Sequence, residues 1–346
     1  MKRAMALAAV FAAMVVPASC GNDAAAPAAS RTVTLVTYSG YALPEAAAKA
    51  FTKRTGITIK VIATDDAGAA LNRALLNAGS PEGDVFFGVD NTFLTRAQQS
   101  DAFAVHRPSA LGTVPREFRL DGSGRFTPVD EGSVCVDLDT KWFADHQVTA
   151  PISLADLTDP RYRNLLVVED AAASSAGLAF LAATHATSGA GTDDYWRALK
   201  ANGVAVAASW DDAWNTRFTV NGGDRPLVVS YASSPPAEVV FSDPKIDAPR
   251  SAVIGATCFR QVEFAAVLAG TRRAVAAGQL VDEMLSPEWQ AALPLSNYVY
   301  PVLPGVALPA EFEKWAQRPV RPITISAGAI GANRDAWIAS WRAIME

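Results

Sequence analysis

Histidine is scarce in this chain, with three in 346 residues. His106, His146 and His185 lie far apart and have no metal-ligand spacing, and no H-E-x-x-H pair occurs. A G-x-S-x-G nucleophile elbow and a phosphate loop ending in Gly-Lys-Ser/Thr are also missing. Gly189-Ala190-Gly191 does not continue as a dinucleotide fingerprint. Ser174 and Ser175 open a predicted helix, where a serine ordinarily caps backbone N–H groups. Turnover needs a nucleophile or a metal, and neither constellation is present. The expectation is a protein without catalysis, metal or cofactor. Basic surface is lacking too: the formal charge is -5, which argues against a nucleic-acid partner and modestly favours cationic ligands.

No segment is long and apolar enough to span a bilayer of about 30 Å. The longest candidate, 4–16, follows Lys2 and Arg3 and reads as the core of an export signal covering 1–20. Two endings compete. Val16-Pro17-Ala18 suits a small-residue cleavage site, which would leave a freely soluble protein. Pro17-Ala18-Ser19-Cys20 followed by Gly21 looks like a lipobox with Pro17 in place of Leu. In that case Cys20 carries lipid and anchors the chain to the membrane surface. The next stretch, 21–30 (GNDAAAPAAS), has no large apolar residue and reads as a tether. With Cys20 set aside, Cys135 and Cys258 remain, either a disulfide or two buried thiols in an oxidising compartment.

What is present is a repeated alternation of strands and helices, on a chain long enough for two lobes. Thr32–Thr37 alternates as a strand, and Pro44 opens a helix that Gly56 ends. Ile57-Thr58-Ile59-Lys60-Val61 alternates again. A helix around 69–78 precedes the apolar strand Asp84–Val89. This order predicts an α/β architecture of doubly wound parallel sheets, with ligands at the strands' carboxyl ends. A second series runs through strands at 165–168, 204–207 and 227–230. Helices are expected at 174–187 and near 211–220. Ser133–Leu138 and Thr257–Phe264 read as extended crossings between the lobes. Ser286-Pro287-Glu288 starts a capped helix. Trp337, Trp341 and Ile344 form a docking face on the last helix. The lobes are expected at 31–130 plus 261–310 and at 131–260 plus 311–346.

Aromatic residues collect at the predicted strand ends. Tyr38 and Tyr41 follow the first strand, Trp210 precedes the helix near 211–220, Tyr231 ends the LVVS strand, and Tyr298 follows Asn297. Asp66 lies just beyond the second strand. Aromatic faces with a carboxylate make a box for a flat organic cation, each contact giving about 0.5–2 kcal/mol.

The chain resembles the thiamine-binding periplasmic proteins over nearly its whole mature length. The matching stretches include LVTYSGY at 35–41, GDVFFGVDNTFL at 83–94 and VVEDAAASSAGLAFL at 167–181. SWDDAW at 209–214, VVSYASSPPA at 228–237, RQVEFAA at 260–266 and the SPEW…NYVYP run from 286 also match. The resemblance implies a two-lobe (type II, Venus-flytrap) periplasmic binding fold closing over thiamine or its phosphates. It also implies a monomer that docks to the permease of an ATP-driven (ABC) importer. Carried over by position, it puts Tyr38, Asp66, Ser174, Trp210, Tyr231 and Tyr298 at the ligand. Tyr231 and Tyr298 would flank the rings, the Ser174 helix start would face the hydroxyethyl or phosphate end, and Asp66 would balance the thiazolium charge. Tyr41, Asp90, Asp130, Glu131 and Ser175 are further candidates.

Three departures accompany the match. Tyr298 stands where the family tends to have Trp, Ala237 replaces an aromatic, and 127–133 lacks the family's aromatics. The cleft is therefore expected to be more acidic. A polyamine, read through Asp130 and Glu131, or a ferric ion on the same fold are the competing ligands. Ferric sites on this fold use adjacent tyrosines, whereas Tyr231 is followed by Ala232. A secreted hydrolase is the distant alternative.

Overall fold

A computed structural model describes residues 31–346; the signal segment, the tether and Cys20 lie outside the described residues. The chain opens with β1 (Arg31–Thr37), α1 (Glu45–Thr55), β2 (Ile57–Ala63), α2 (Ala67–Leu76) and β3 (Val85–Asp90). β1 pairs in parallel with both β2 and β3, as the alternating patterns predict. α1 stops because Gly56 turns left-handed (φ 71°) and returns its N–H to the Thr52 carbonyl. α2 starts earlier than the apolar spacing suggested, because the Asp66 carboxylate caps it by accepting from the Ala67 N–H at 2.6 Å. Short α3 (Leu94–Gln98) and β4 (Phe103–Ala104) complete this first stretch.

β5 (Thr127–Asp139) then carries the chain into the second lobe. That lobe holds α4 (Thr140–Asp145), β6 (Leu166–Glu169), α5 (Ser175–Ser188), α6 (Thr192–Ala201), β7 (Ala205–Ala207), β8 (Leu227–Tyr231) and α7 (Pro235–Phe241). β6 pairs in parallel with β7 and β8. The helix expected near 211–220 is instead a π-helical turn over Asp212–Arg217, with the Phe218 N–H donating to the Ala213 carbonyl five residues back.

β9 (Ser251–Leu268) brings the chain back. It is followed by α8 (Ala274–Glu283), α9 (Pro287–Ser296), β10 (Tyr300–Pro301), α10 (Ala310–Trp315) and α11 (Ala327–Met345). The strands follow one another in the order β2-β1-β3-β9-β5-β8-β6-β7. β5 and β9 run antiparallel from Thr127↔Ala265 to Asp139↔Ser251, so the two expected crossings lie side by side and join the lobes. Their register shifts between Val134↔Phe259 and Val136↔Ile254. At that irregularity a disulfide joins Cys135 and Cys258, whose Cα atoms are 4.0 Å apart.

Helices cover both faces of the parallel strands. One core packs Val33, Leu35, Val85 and Phe87 against Phe51, Leu280 and Trp289. A larger one joins α5, buried from Ser175 to Thr184, to both lobes' remaining faces. α11 packs on α6 and also on α3. Its buried side is Ile330, Arg334, Ile338 and Trp341, while Trp337 is half-buried and stacks on His185 at 4.2 Å. Near its start the Thr95 hydroxyl donates to the Ala327 carbonyl at 2.8 Å, and Trp341 meets the edge of Trp196 at 5.9 Å. The last helix therefore straps both lobes. Among the described residues, no helix is long and apolar enough to cross a membrane.

Candidate functional site

The carboxyl ends of the parallel strands converge on one cleft between the lobes, with a volume of about 370 Å³. Tyr38 comes from the end of β1 and Asp66 from the turn after β2. Ser175 opens α5, Trp210 follows β7, Tyr231 ends β8, and Tyr298 follows α9. All six line the cleft.

Each is held by its surroundings. Tyr38 packs on Tyr41 and Phe87 and donates from its hydroxyl to Glu263 Oε2 at 3.2 Å. Its ring lies over Gly88 in β3, where a Cβ would sit 2.6 Å from the ring, so that position has room only for glycine. Trp210 stacks with Trp214 at 6.0 Å, nearly parallel, and donates from Nε1 to Ser230 Oγ at 3.0 Å. Tyr231 meets Trp210 edge-on at 6.3 Å. Tyr298 adopts a left-handed backbone (φ 53°), an uncommon state for an aromatic residue. Its carbonyl accepts from the Ser233 hydroxyl of the other lobe.

Asp66 has the densest set of partners. One oxygen accepts from the Ala67 N–H, and the other from the Trp210 N–H of the opposite lobe at 3.0 Å. The Ser174 hydroxyl and the Ser175 N–H lie near enough to favour its charged form. Burial raises its pKa in spite of these donors. α2 also touches the second lobe closely, since a Cβ on Gly68 would lie 2.6 Å from the Ala173 carbonyl oxygen.

Five candidates lie off the cleft lining. Ser174 is wholly buried; its hydroxyl caps α5 by accepting from the Gly177 N–H. Its neighbour Ser175 and Asp66 line the cleft at this helix start. Tyr41 is buried behind Tyr38 against Phe87. Asp90 is buried below the floor, accepting from Thr92 and from Gln261 Nε2, which also reaches Ser175 Oγ at 2.7 Å. Asp130 and Glu131 are adjacent in a strand and so face opposite sides. Asp130 points inward, opposite Glu263 in the ladder, and Glu131 turns away to pair with Arg318, which lies over the Tyr300 ring.

Reading by strand ends missed Glu263, Trp214, Asn215 and Phe241, all of which line the cleft. Glu263 lies within the RQVEFAA stretch, but in the sequence it is one polar residue in an alternating crossing strand. Burial first, and then repulsion from Asp130 and Asp90, holds its carboxyl well above the ordinary range. Burial also pushes Asp130 up to about 7. Glu169, at the end of β6, is buried with neither oxygen partnered, and burial raises it strongly. The cleft is thus a box of aromatic faces above several desolvated carboxylates, suited to a flat cation. No group of three or more His, Cys, Asp or Glu side chains that could hold a metal ion occurs among the described residues.

A ligand cleft between two lobes joined by paired crossing strands is the arrangement of a solute-binding protein. Residues 80–321 match the model of the bacterial extracellular solute-binding proteins, and the chain belongs to that family. Within reach of it stands the thiamine-binding periplasmic protein of Salmonella typhimurium, 29% identical over 92% of this chain and 95% of that protein. The protein of the same name from Escherichia coli is 28% identical over 90% of this chain and 92% of its own length. Among solved structures, a periplasmic thiamin binding protein superposes with a TM-score of 0.80 at 26% identity, over 91% of this chain and 96% of that one. Iron-bound HitA from Pseudomonas aeruginosa superposes with a TM-score of 0.74 at 22% identity, over 91% and 99%, and shares the fold.

Proposed function

We propose that this protein captures thiamine or a close derivative outside the cytoplasm and delivers it to the permease of an ABC importer. The observation that carries this reading is the cleft in which Tyr38, Trp210, Tyr231 and Tyr298 surround Asp66 and Glu263. Thiamine offers two flat rings, one permanently cationic, and an aminopyrimidine able to donate to a carboxylate. Aromatic faces and a desolvated carboxylate match each part, and about -8 to -12 kcal/mol suffices for micromolar to nanomolar binding. The similarity to proteins named for thiamine binding supports the same choice. Binding is reversible and leaves the ligand unchanged.

Calorimetric titration of the purified protein tests it. Thiamine should bind with micromolar or tighter affinity and change the tryptophan fluorescence, since Trp210 and Trp214 line the cleft. Heat from putrescine, spermidine or ferric ion with none from thiamine would replace this reading with a polyamine or metal one. For the amino terminus, the reading is a lipid on Cys20, motivated by a lone cysteine before Gly21 and an Ala-rich tether. Intact-mass measurement showing a mature, unlipidated chain starting at Ser19 would overturn it.

A further inference from the structure

We propose that Phe241 is a ligand-contacting residue whose ring, with that of Tyr298 on the opposite lobe, forms an aromatic clasp over the outer part of a bound flat cation. The proposal rests on the thiamine reading and adds a residue to it.

Phe241 is the last residue of α7 and is 71% exposed. Every other Phe, Tyr and Trp among the described residues is buried or half-buried. One exposed apolar side chain needs no explanation by itself. This one lines the cleft, together with Ala237 one turn earlier on the same helix face. A methyl at 237 covers little of that wall, and Phe241 is the one aromatic residue of α7.

The backbone that carries the ring is held in place. The Ser242 N–H donates to the Glu238 carbonyl, and the Ser242 hydroxyl donates to the Val239 carbonyl at 3.2 Å. Lys245 Nζ donates to the Val240 carbonyl at 2.6 Å, and the Glu238 carboxylate accepts from the Arg250 N–H at 2.7 Å. Covering the ring with a ligand therefore orders one side chain and no backbone.

Both ends of α7 meet the same residue of the other lobe. Ser233, just before the helix, donates to the Tyr298 carbonyl, and the Phe241 ring meets the Tyr298 ring edge-on at 5.8 Å. That spacing lies within the range at which aromatic rings attract. The two rings come from opposite lobes, so the pair forms only as the lobes meet. A flat cation beneath it gains a ring face and takes Phe241 out of water, and both effects favour the closed form.

The experiment measures thiamine binding by the wild type, Phe241→Ala, Phe241→Tyr, Tyr298→Ala and the double Ala variant, using calorimetry and stopped-flow tryptophan fluorescence. Phe241→Ala should weaken binding by about five- to tenfold, mostly through faster release. Phe241→Tyr should stay within about twofold of the wild type, since the ring face is kept. The ligand-free melting temperature of Phe241→Ala should move by less than about 2 °C, as for an exposed side chain. The double variant should lose less than the product of the two single losses, because each ring depends on the other. Phe241→Ala binding as well as the wild type, or Phe241→Tyr binding as poorly as Phe241→Ala, would overturn the clasp and leave the thiamine reading intact. Losses that simply multiply would overturn it too, as would a clear fall in the ligand-free melting temperature, which would make the role of Phe241 structural. Silence of the wild type towards thiamine would remove both readings.

Discussion

Asp66 and Trp210 stand 144 residues apart in the chain and on opposite lobes, yet the Trp210 backbone N–H donates to Asp66 Oδ2 at 3.0 Å. The bond exists only when the lobes are together, so it stabilises the closed form and not the open one. Because the donor is backbone, substitutions of the indole leave it in place. Asp66→Ala should weaken thiamine binding about 10- to 100-fold, the range for hydrogen bonds to a charged group, and shift solution scattering towards a more open shape. Trp210→Phe should lower affinity less and keep the compact scattering profile. Equal opening in both variants would contradict this account of closure.

Tyr231 and Tyr298 offer stacking faces from different lobes. Replacing either by Ala should cost about tenfold in affinity, and replacing either by Phe should cost far less, because a ring face is worth on the order of 1–2 kcal/mol whether or not it bears a hydroxyl. Calorimetry on the four single variants distinguishes ring stacking from hydrogen bonding. Phe variants as weak as the Ala variants would move the role to the hydroxyls.

The buried acids make a prediction about pH. Burial lifts Asp130 to about 7 and Glu263 well above its ordinary value, so the folded chain holds their protons more tightly than the unfolded one. A carboxyl whose folded pKa is raised contributes stability at low pH that is lost as pH rises towards that pKa. The ligand-free melting temperature should therefore decline between about pH 5 and pH 7. A bound cation favours the ionised carboxylates, so saturating thiamine should flatten that decline and its binding should release protons. Titrations in buffers of different ionisation heat measure the release directly. Proton uptake would mean that Glu263, which lines the cleft, does not sense the bound cation.

The sequence-level reading located the cleft because strand ends are easy to find. Alternation in 32–37 and 57–61 and the apolar run at 84–89 set the strands, and whatever follows them lands on one edge of the sheet. Tyr38, Asp66, Trp210 and Tyr231 were legible for that reason. Depth was not legible. Ser174 and Ser175 are neighbours at one helix start, but only Ser175 meets the cleft. Asp130 and Glu131 look equivalent until the pleat assigns them to opposite faces. Glu263 depends on the pairing register of β5 with β9, a contact between residues more than a hundred positions apart. The π-helical turn at 212–217 also has no periodic signature, although its Trp210–Trp214 spacing is visible.

Trp341 is a test of structure without function. It is buried between α11 and α6, edge-on to Trp196, well away from the cleft lining. Trp341→Ala should lower unfolding stability by about 3 kcal/mol, read as a drop of several degrees in melting temperature. Thiamine affinity should change by less than about twofold. A large loss of affinity at unchanged stability would mean that the α11 strap governs lobe closure.

The disulfide between Cys135 and Cys258 sits where the chain leaves the first lobe and where it comes back. Everything from β6 to α7 lies between those two residues. The second lobe's strands therefore belong to a covalent ring, and the first lobe is attached to that ring at one knot. A single protease cut inside the ring leaves all of the pieces on one molecule, still held by the bridge. The same cut in a reducing environment separates the chain into two fragments. For a receptor working among extracellular proteases, a nick in the ring would be a scar instead of a severance.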